Sequence, residues 1–300
     1  MKRRTRRKLS LFPPPLWGRV REGGSSEKLF ALLQNNDPHP QPLPTRGRGV
    51  VRVCCALVLA GLTLAFIDGA AAQERCPLTA IGTATVAAVR DGRTLILTDG
   101  RELRLAAIEA GADGRGALQA LIAGRPLRLA RLGAETDRYG RLVAFAFAGE
   151  AEQSLQATLL EQGQARVSAR IGDNGCADAL LTTERAARAA GRGLWADPNF
   201  APLQAENLTR LQAEKGHFAL VEGKVLSVRE SGATIYVNFG RRWTRDFTVT
   251  ILKRQQRTFA AAGLEPKRLE GRRIRVRGWI EQRGGPIVAA EAPEQIEMIE

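Results

Sequence analysis

The chain has 300 residues, 44% hydrophobic and 25% charged, which is enough apolar material for about two domains with real cores. Lys and Arg outnumber Asp and Glu by 45 to 31, and the resulting net charge of +14 points to an anionic partner. With only His39, in a Pro-rich tail, and His217 as histidines, and four cysteines of which none form a C-x-x-C pair, the sequence lends no support to a Ser/His/Asp triad, a His-rich zinc site or a zinc ribbon.

The basic excess is uneven. Residues 1–72 carry 12 basic and 4 acidic side chains, residues 73–214 carry 17 of each, and residues 215–300 carry 16 against 10. Residues 1–50 hold Pro13-Pro14-Pro15-Leu16-Trp17 and Pro38-His39-Pro40-Gln41-Pro42 and show no helical or strand period, so no packed core is expected there. They read either as an extension ahead of a true start near Val50 or Val51, with two blocks that look like translated arms of an intergenic repeat, or as a basic tail for nucleic acid or lipid. Residues 51–72 follow the pattern of a secretory leader: Arg52, the apolar run Val53–Ile67, then Ala70-Ala71-Ala72 as a cleavage site. The run is about 15 residues, short for a bilayer span of roughly 20. A periplasmic or secreted protein cleaved after Ala72, without stable membrane insertion, is therefore expected; the alternative is a retained anchor. Cleavage leaves Cys76 and Cys176, which in an oxidising compartment pair as a disulfide or else stay as two buried thiols.

Residues 80–197 form the first expected domain. Alternating runs at Thr83–Arg90, Thr94–Thr98 and Glu102–Ile108, joined by Asp91-Gly92 and Asp99-Gly100, predict a β-meander. Leu118, Leu121 and Ile122 have helical spacing before Gly124. Strands are predicted at Leu127–Leu132 and Arg141–Phe147, a helix through Leu155, Leu159 and Leu160 before Gly163, and a last helix over about Ala177–Ala190. Strands first with helices between and after them imply an α+β fold around a small barrel.

Val89-Arg90-Asp91-Gly92-Arg93-Thr94-Leu95, Leu103-Arg104-Leu105-Ala106-Ala107-Ile108-Glu109, Asp137-Arg138-Tyr139-Gly140-Arg141 and Gly193-Leu194-Trp195 occur in the order found in the staphylococcal nuclease (thermonuclease) family, and residues 80–197 resemble it. The resemblance implies a five-stranded OB-type barrel with helices that cleaves DNA and RNA using Ca²⁺. It places Arg104 and Arg141 on the phosphoryl group, where two guanidiniums stabilise growing negative charge. It places Asp91 and Glu109 among the metal ligands, Glu109 standing for an Asp. Two departures damage the set. The second loop Asp is Arg93, so Ca²⁺ binding is expected to be weak or lost, and the family's Glu is Ala112, which cannot accept a proton. A positioned general base contributes roughly 10²–10⁴-fold. Asp113 takes that role only if its loop shifts, a movement that Gly111 and Gly114 permit. The bland alternative is that Asp91 serves its turn while Arg104 and Arg141 form ion pairs with Glu109 and Asp137.

Residues 198–215 read as a polar helical linker, and residues 216–300 as a second, mostly β, OB-like barrel. Strands are predicted at Ala219–Val228, Ala233–Phe239, Trp243–Ile251, Arg272–Ile280 and within Pro286–Ile299, with a helix near Lys253–Ala262. Strand parity turns Ile274, Val276 and Ile280 inward and Arg275, Arg277 and Trp279 outward, with Tyr236 outward on its own strand. Arginines interleaved with aromatics suit single-stranded DNA or RNA; a solvated basic face is the alternative. The whole is expected to be an exported thermonuclease-family protein that binds nucleic acid and hydrolyses phosphodiesters if another carboxylate replaces the missing base; the rival is a non-catalytic binding or envelope scaffold module.

Overall fold

The computed structural model describes residues 76–111, 114–133 and 136–299. The extension and leader expected in residues 1–72 lie outside the described residues, as do Ala112 and Asp113.

The first barrel comprises β1 (Thr79–Ala84), β2 (Val86–Val89), β3 (Thr94–Leu97), β4 (Glu102–Leu105), β5 (Ile108–Ala110), β6 (Leu127–Arg131), β7 (Leu142–Ala148) and β8 (Ala165–Val167), with helices α1 (Gly114–Ile122), α2 (Leu155–Glu161) and α3 (Asn174–Ala189). Its main sheet runs β1-β6-β7-β4-β3-β2. Only Thr85 separates β1 from β2, so one bent strand pairs with β6 at one end and β3 at the other, and the sheet closes into a five-stranded OB-type barrel. The parallel pair β4 and β7 sets Leu103 beside Leu142 and Arg104 beside Val143. The fold is α+β, and its core holds Leu95, Leu103, Leu105, Leu127, Phe145, Leu159 and Leu160. Each such side chain contributes about 1.5–3 kcal/mol when fully buried.

Helix α3 starts at Asn174, three residues ahead of its apolar repeat, because the Asp173 carboxylate accepts the Cys176 N–H at 2.9 Å and caps the first turn. Cys176 is disulfide-bonded to Cys76 across 100 residues, tying α3 to the chain just ahead of β1. A loop of that length stabilises the fold by up to ~4.7 kcal/mol in the chain-entropy account.

The remaining elements are β9 (Leu203–Gln204), α4 (Leu208–Ala213), β10 (Phe218–Lys224), β11 (Ser227–Ser231), β12 (Thr234–Asn238), β13 (Thr248–Leu252), α5 (Gln256–Ala261), β14 (Arg273–Trp279), β15 (Glu281–Arg283), β16 (Gly285–Ala290) and β17 (Ile296–Ile299). They make sheets β17-β14-β10-β9 and β11-β12-β13-β16-β15. β10 continues into β11, and β14 into β15 through Ile280 alone, so these two strands belong to both sheets and close a second barrel. β13 and β16 pair in parallel, as β4 and β7 do. The two barrels therefore share one connectivity. At the corner Gly278 leaves room that a Cβ would take 2.5 Å from Val288.

Two features differ from expectation. Residues 198–215 are not a free helical linker: β9 adds to β10 in parallel, and Ala205 and Leu211 are buried in the second core. The strand expected from Trp243 begins at Thr248, because Asp246 accepts the Arg242 N–H at 2.8 Å and closes a loop that leaves Trp243 exposed.

The outer face of β14 is covered by the first barrel. Ile274, Val276 and Ile280 face the second core, and Arg277 on the opposite side is fully buried. Its guanidinium donates to both oxygens of Glu184 on α3 (2.9 and 3.0 Å), to Glu297 of β17 (2.6 Å) and to the Val167 carbonyl (3.0 Å). Arg188 and Arg275 join the same carboxylates, and Arg275 also pairs with Glu222. Three enclosed guanidiniums, with the half-exposed Arg185 3.7 Å from Glu297, thus meet three carboxylates. Burial opposes charge on Arg277, but Glu184 and Glu297 outweigh it and hold its pKa above the ordinary arginine value.

Candidate phosphate-binding site

The loop from β2 to β3 begins with Asp91, whose carboxylate accepts the N–H of Arg93 at 2.9 Å and so fixes the turn. Gly92 follows because a Cβ there would lie 2.6 Å from that of Ala110, so the loop can press against the end of β5. This packing aims Arg93 inward. Its guanidinium donates to the Ile108 carbonyl at 3.1 Å and forms an ion pair with Glu109, a carboxylate only 8% exposed. Glu109 receives a second cation, Arg104 of β4, at 3.7 Å.

Arg141 precedes β7 and reaches the same region through the β4–β7 pairing. It donates to Asp137 at 2.8 Å, and Tyr139 lies beneath it with the ring centre 5.1 Å away. The Asp137 hydrogen bond holds the Arg141 pKa above its ordinary value. Asp137 itself lies below the usual carboxylate range: burial raises it, but hydrogen bonds from Arg141 and from the Tyr139 N–H prevail. For Arg104 burial is the largest influence and lowers its pKa. The charges of Arg93 and Arg141 push the same way, against Glu109 and Asp137. Three guanidiniums therefore share two carboxylates on one face of the barrel, and an anion placed there would relieve their mutual repulsion. Planar, permanently charged guanidiniums suit bidentate pairing with phosphoryl oxygens.

Residues 106–197 match the family described as Staphylococcal nuclease homologue. Residues 106–197 are a staphylococcal nuclease-like domain. No curated protein matches the chain. The family acts on nucleic acid and in general depends on Ca²⁺, so its fit can be judged from the donors present. Ca²⁺ takes 6–8 oxygen ligands. In the first barrel Asp91 is exposed and engaged in its own turn, Glu109 is held by Arg93 and Arg104, and the Ile108 carbonyl accepts from Arg93. Among the described residues no three His, Cys, Asp or Glu side chains converge as a metal-holding group. The cation beside Glu109 is a guanidinium, and these residues do not fit Ca²⁺.

Arg104 pairs with Glu109, Arg141 lies within electrostatic reach of Arg104, and Asp91 is engaged in its own turn, while Asp113 lies outside the described residues. The residues proposed for single-strand binding on the second barrel do not form one face. Arg277 and Arg275 are turned away from its core as parity requires, but their charges are spent on Glu184, Glu222 and Glu297 under the first barrel, so neither is offered to a nucleic acid. Trp279, 46% exposed, emerges at the end of β14, whereas Tyr236 lines a separate groove with Trp243.

Two functional features escape a reading of the sequence. Arg93 acts as the counterion of Glu109, a role that depends on the three-dimensional position of the loop. Glu184 stands on the apolar stripe of α3 with Leu180, Leu181 and Ala187; an acidic residue at a core position is the available signal of a buried partner.

Proposed function

We propose that the protein is an exported nucleic-acid-binding protein that grips the phosphodiester backbone through Arg104 and Arg141 and does so without Ca²⁺-dependent hydrolysis. The carrying observation is the Arg93 guanidinium seated on Glu109, where the family pattern has an acidic donor facing a metal. Arg93 neutralises Glu109, which would otherwise repel a phosphate, and leaves the face net positive. Arg104 then sits between a neutralised carboxylate and Arg141, positioned to donate to a phosphoryl oxygen. Export is supported by the apolar run before Ala72 and by the Cys76–Cys176 bond, which persists in oxidising compartments.

The test is binding of single-stranded DNA and RNA with Ca²⁺ and with EDTA. Binding without cleavage in both media, weakened in an Arg104→Ala, Arg141→Ala variant, is expected. Ca²⁺-dependent cleavage that disappears in the same variant would overturn this reading in favour of an active nuclease.

A further inference from the structure

A cleft of about 540 Å³ lies between the two barrels. Its walls include Arg93, Arg166, Arg210, Phe200, Phe218 and Trp279. That volume falls within the range of small-ligand sites.

Arg166 is the unusual member. It lies on β8 opposite Glu109 of β5, a neighbour that would ordinarily be its counterion. The Glu109 carboxylate, however, is paired with Arg93 and Arg104. Arg166 instead lies against the Phe200 and Phe218 rings, 5.7 and 5.1 Å from their centres, and its Nε is buried with no partner. Among the described residues no carboxylate comes within ion-pairing distance of it. The other charges of the cleft are balanced locally: Glu109 by Arg93, and Glu214 by Arg210 at 3.5 Å. Burial lowers the Arg166 pKa, and the more distant Glu184, Glu109 and Glu214 only partly oppose it. A part-buried guanidinium with an unsatisfied Nε and no carboxylate at hand is costly, and an incoming anion would offset that cost. At the mouth, Phe218 meets Trp279 edge to face at 6.1 Å and holds the half-exposed indole in place. Cation and exposed ring together match the two ends of a nucleotide.

We propose that this inter-barrel cleft is a nucleotide subsite, in which Arg166 pairs with a phosphate and Trp279 stacks on the base. The inference rests on the reading that the chain binds nucleic acid and adds to it the second barrel's part. Because Arg93 belongs both to the cleft and to the arginine face, a strand held by Arg104 and Arg141 can continue into the cleft.

The full chain is titrated in EDTA with a short oligothymidylate, with thymidine 5′-monophosphate and with inorganic phosphate, following tryptophan fluorescence. Wild type is compared with Arg166→Met, Arg166→Lys, Trp279→Phe and the Arg104→Ala, Arg141→Ala variant. The oligonucleotide is expected to quench wild type, to bind Arg166→Met about tenfold more weakly or worse, as loss of one charge-assisted hydrogen bond implies, and to bind Arg166→Lys with intermediate affinity. Most of the quench is expected to vanish in Trp279→Phe. Saturation by the mononucleotide as well identifies a free nucleotide as a source; a requirement for the oligonucleotide identifies a strand. Wild-type affinity in Arg166→Met, or an undiminished quench in Trp279→Phe, overturns the subsite. If the Arg104→Ala, Arg141→Ala variant alone weakens binding, the first barrel's role stands without the cleft. If wild type binds no probe, both readings fall.

Discussion

In the first barrel Arg104 and Arg141 stand half-buried on adjoining strands, with two carboxylates divided among three guanidiniums. In the second, Arg275 and Arg277 occupy alternate positions of β14 and are enclosed by Glu184, Glu222 and Glu297. The connectivity of the barrels is the same, and so is the chemistry of the side chain. What differs is the carboxylate supply and the cover: on the first barrel three half-buried guanidiniums share two carboxylates, whereas the β14 arginines are enclosed among three carboxylates at an interface. Charge counted along a sequence cannot separate these roles.

Breaking the interface carries the largest expected effect. Arg277→Ala removes the fully buried cation and leaves Glu184 and Glu297 to the less buried Arg188 and Arg275, at a cost of up to about 3–5 kcal/mol, read as a lower midpoint in denaturant. Replacing Arg277 and Glu184 together with apolar residues should cost much less, since no buried charge is left unpaired; equal losses in the single and double variants would contradict the pairing. Removing the cross-link comes next. Cys76→Ser, Cys176→Ser should cost about 2–5 kcal/mol, visible as a lower Tm for the oxidised wild type once reductant is added. An unchanged Tm in reductant would contradict a stabilising bond.

Changes to Arg104 and Arg141 should leave stability nearly untouched and, on the function proposed above, change binding instead. In the Arg104→Ala, Arg141→Ala variant, the slope of log affinity against log salt for single-stranded nucleic acid should shrink by about 0.7 for each phosphate that is no longer neutralised. An unaltered slope would place the phosphate elsewhere. The smallest effect concerns acid. Burial raises the Glu297 pKa, but Arg277 and Arg188 lower it further, and the net value lies below normal. A carboxylate depressed in the folded state adds stability above its unfolded pKa, about 4.3, and that stability disappears as pH falls through the folded value. The interface should therefore hold between pH 5 and 8 and weaken below about pH 4; a weakening centred near neutrality would contradict this assignment.

The first barrel was legible because its signals are local: Asp99-Gly100 between alternating runs, Gly after helical leucines, and four short motifs in order. Ile274, Val276 and Ile280 were legible through parity in the same way. Arg277 was not, because parity distinguishes the two faces of a strand but not whether the outer face meets water or another barrel. Asp173 and Asp246 shifted element boundaries through hydrogen bonds that apolar periodicity does not register. Arg93 was visible as a misplaced cation, yet its bond to Glu109 depends on how closely Gly92 packs on Ala110. Arg166 carried no signal of its own, because its isolation follows from where Glu109 turns.

On the proposed function, the Arg93 guanidinium takes the place a metal would hold beside Glu109. Calorimetric Ca²⁺ titration of wild type and Arg93→Asp tests it most directly. Wild type should take up no Ca²⁺, and Arg93→Asp, which returns a carboxylate to the loop beside Asp91 and Glu109, should gain it. Saturable Ca²⁺ binding by wild type that Arg93→Asp does not improve would mean that Arg93 does not stand in for a metal.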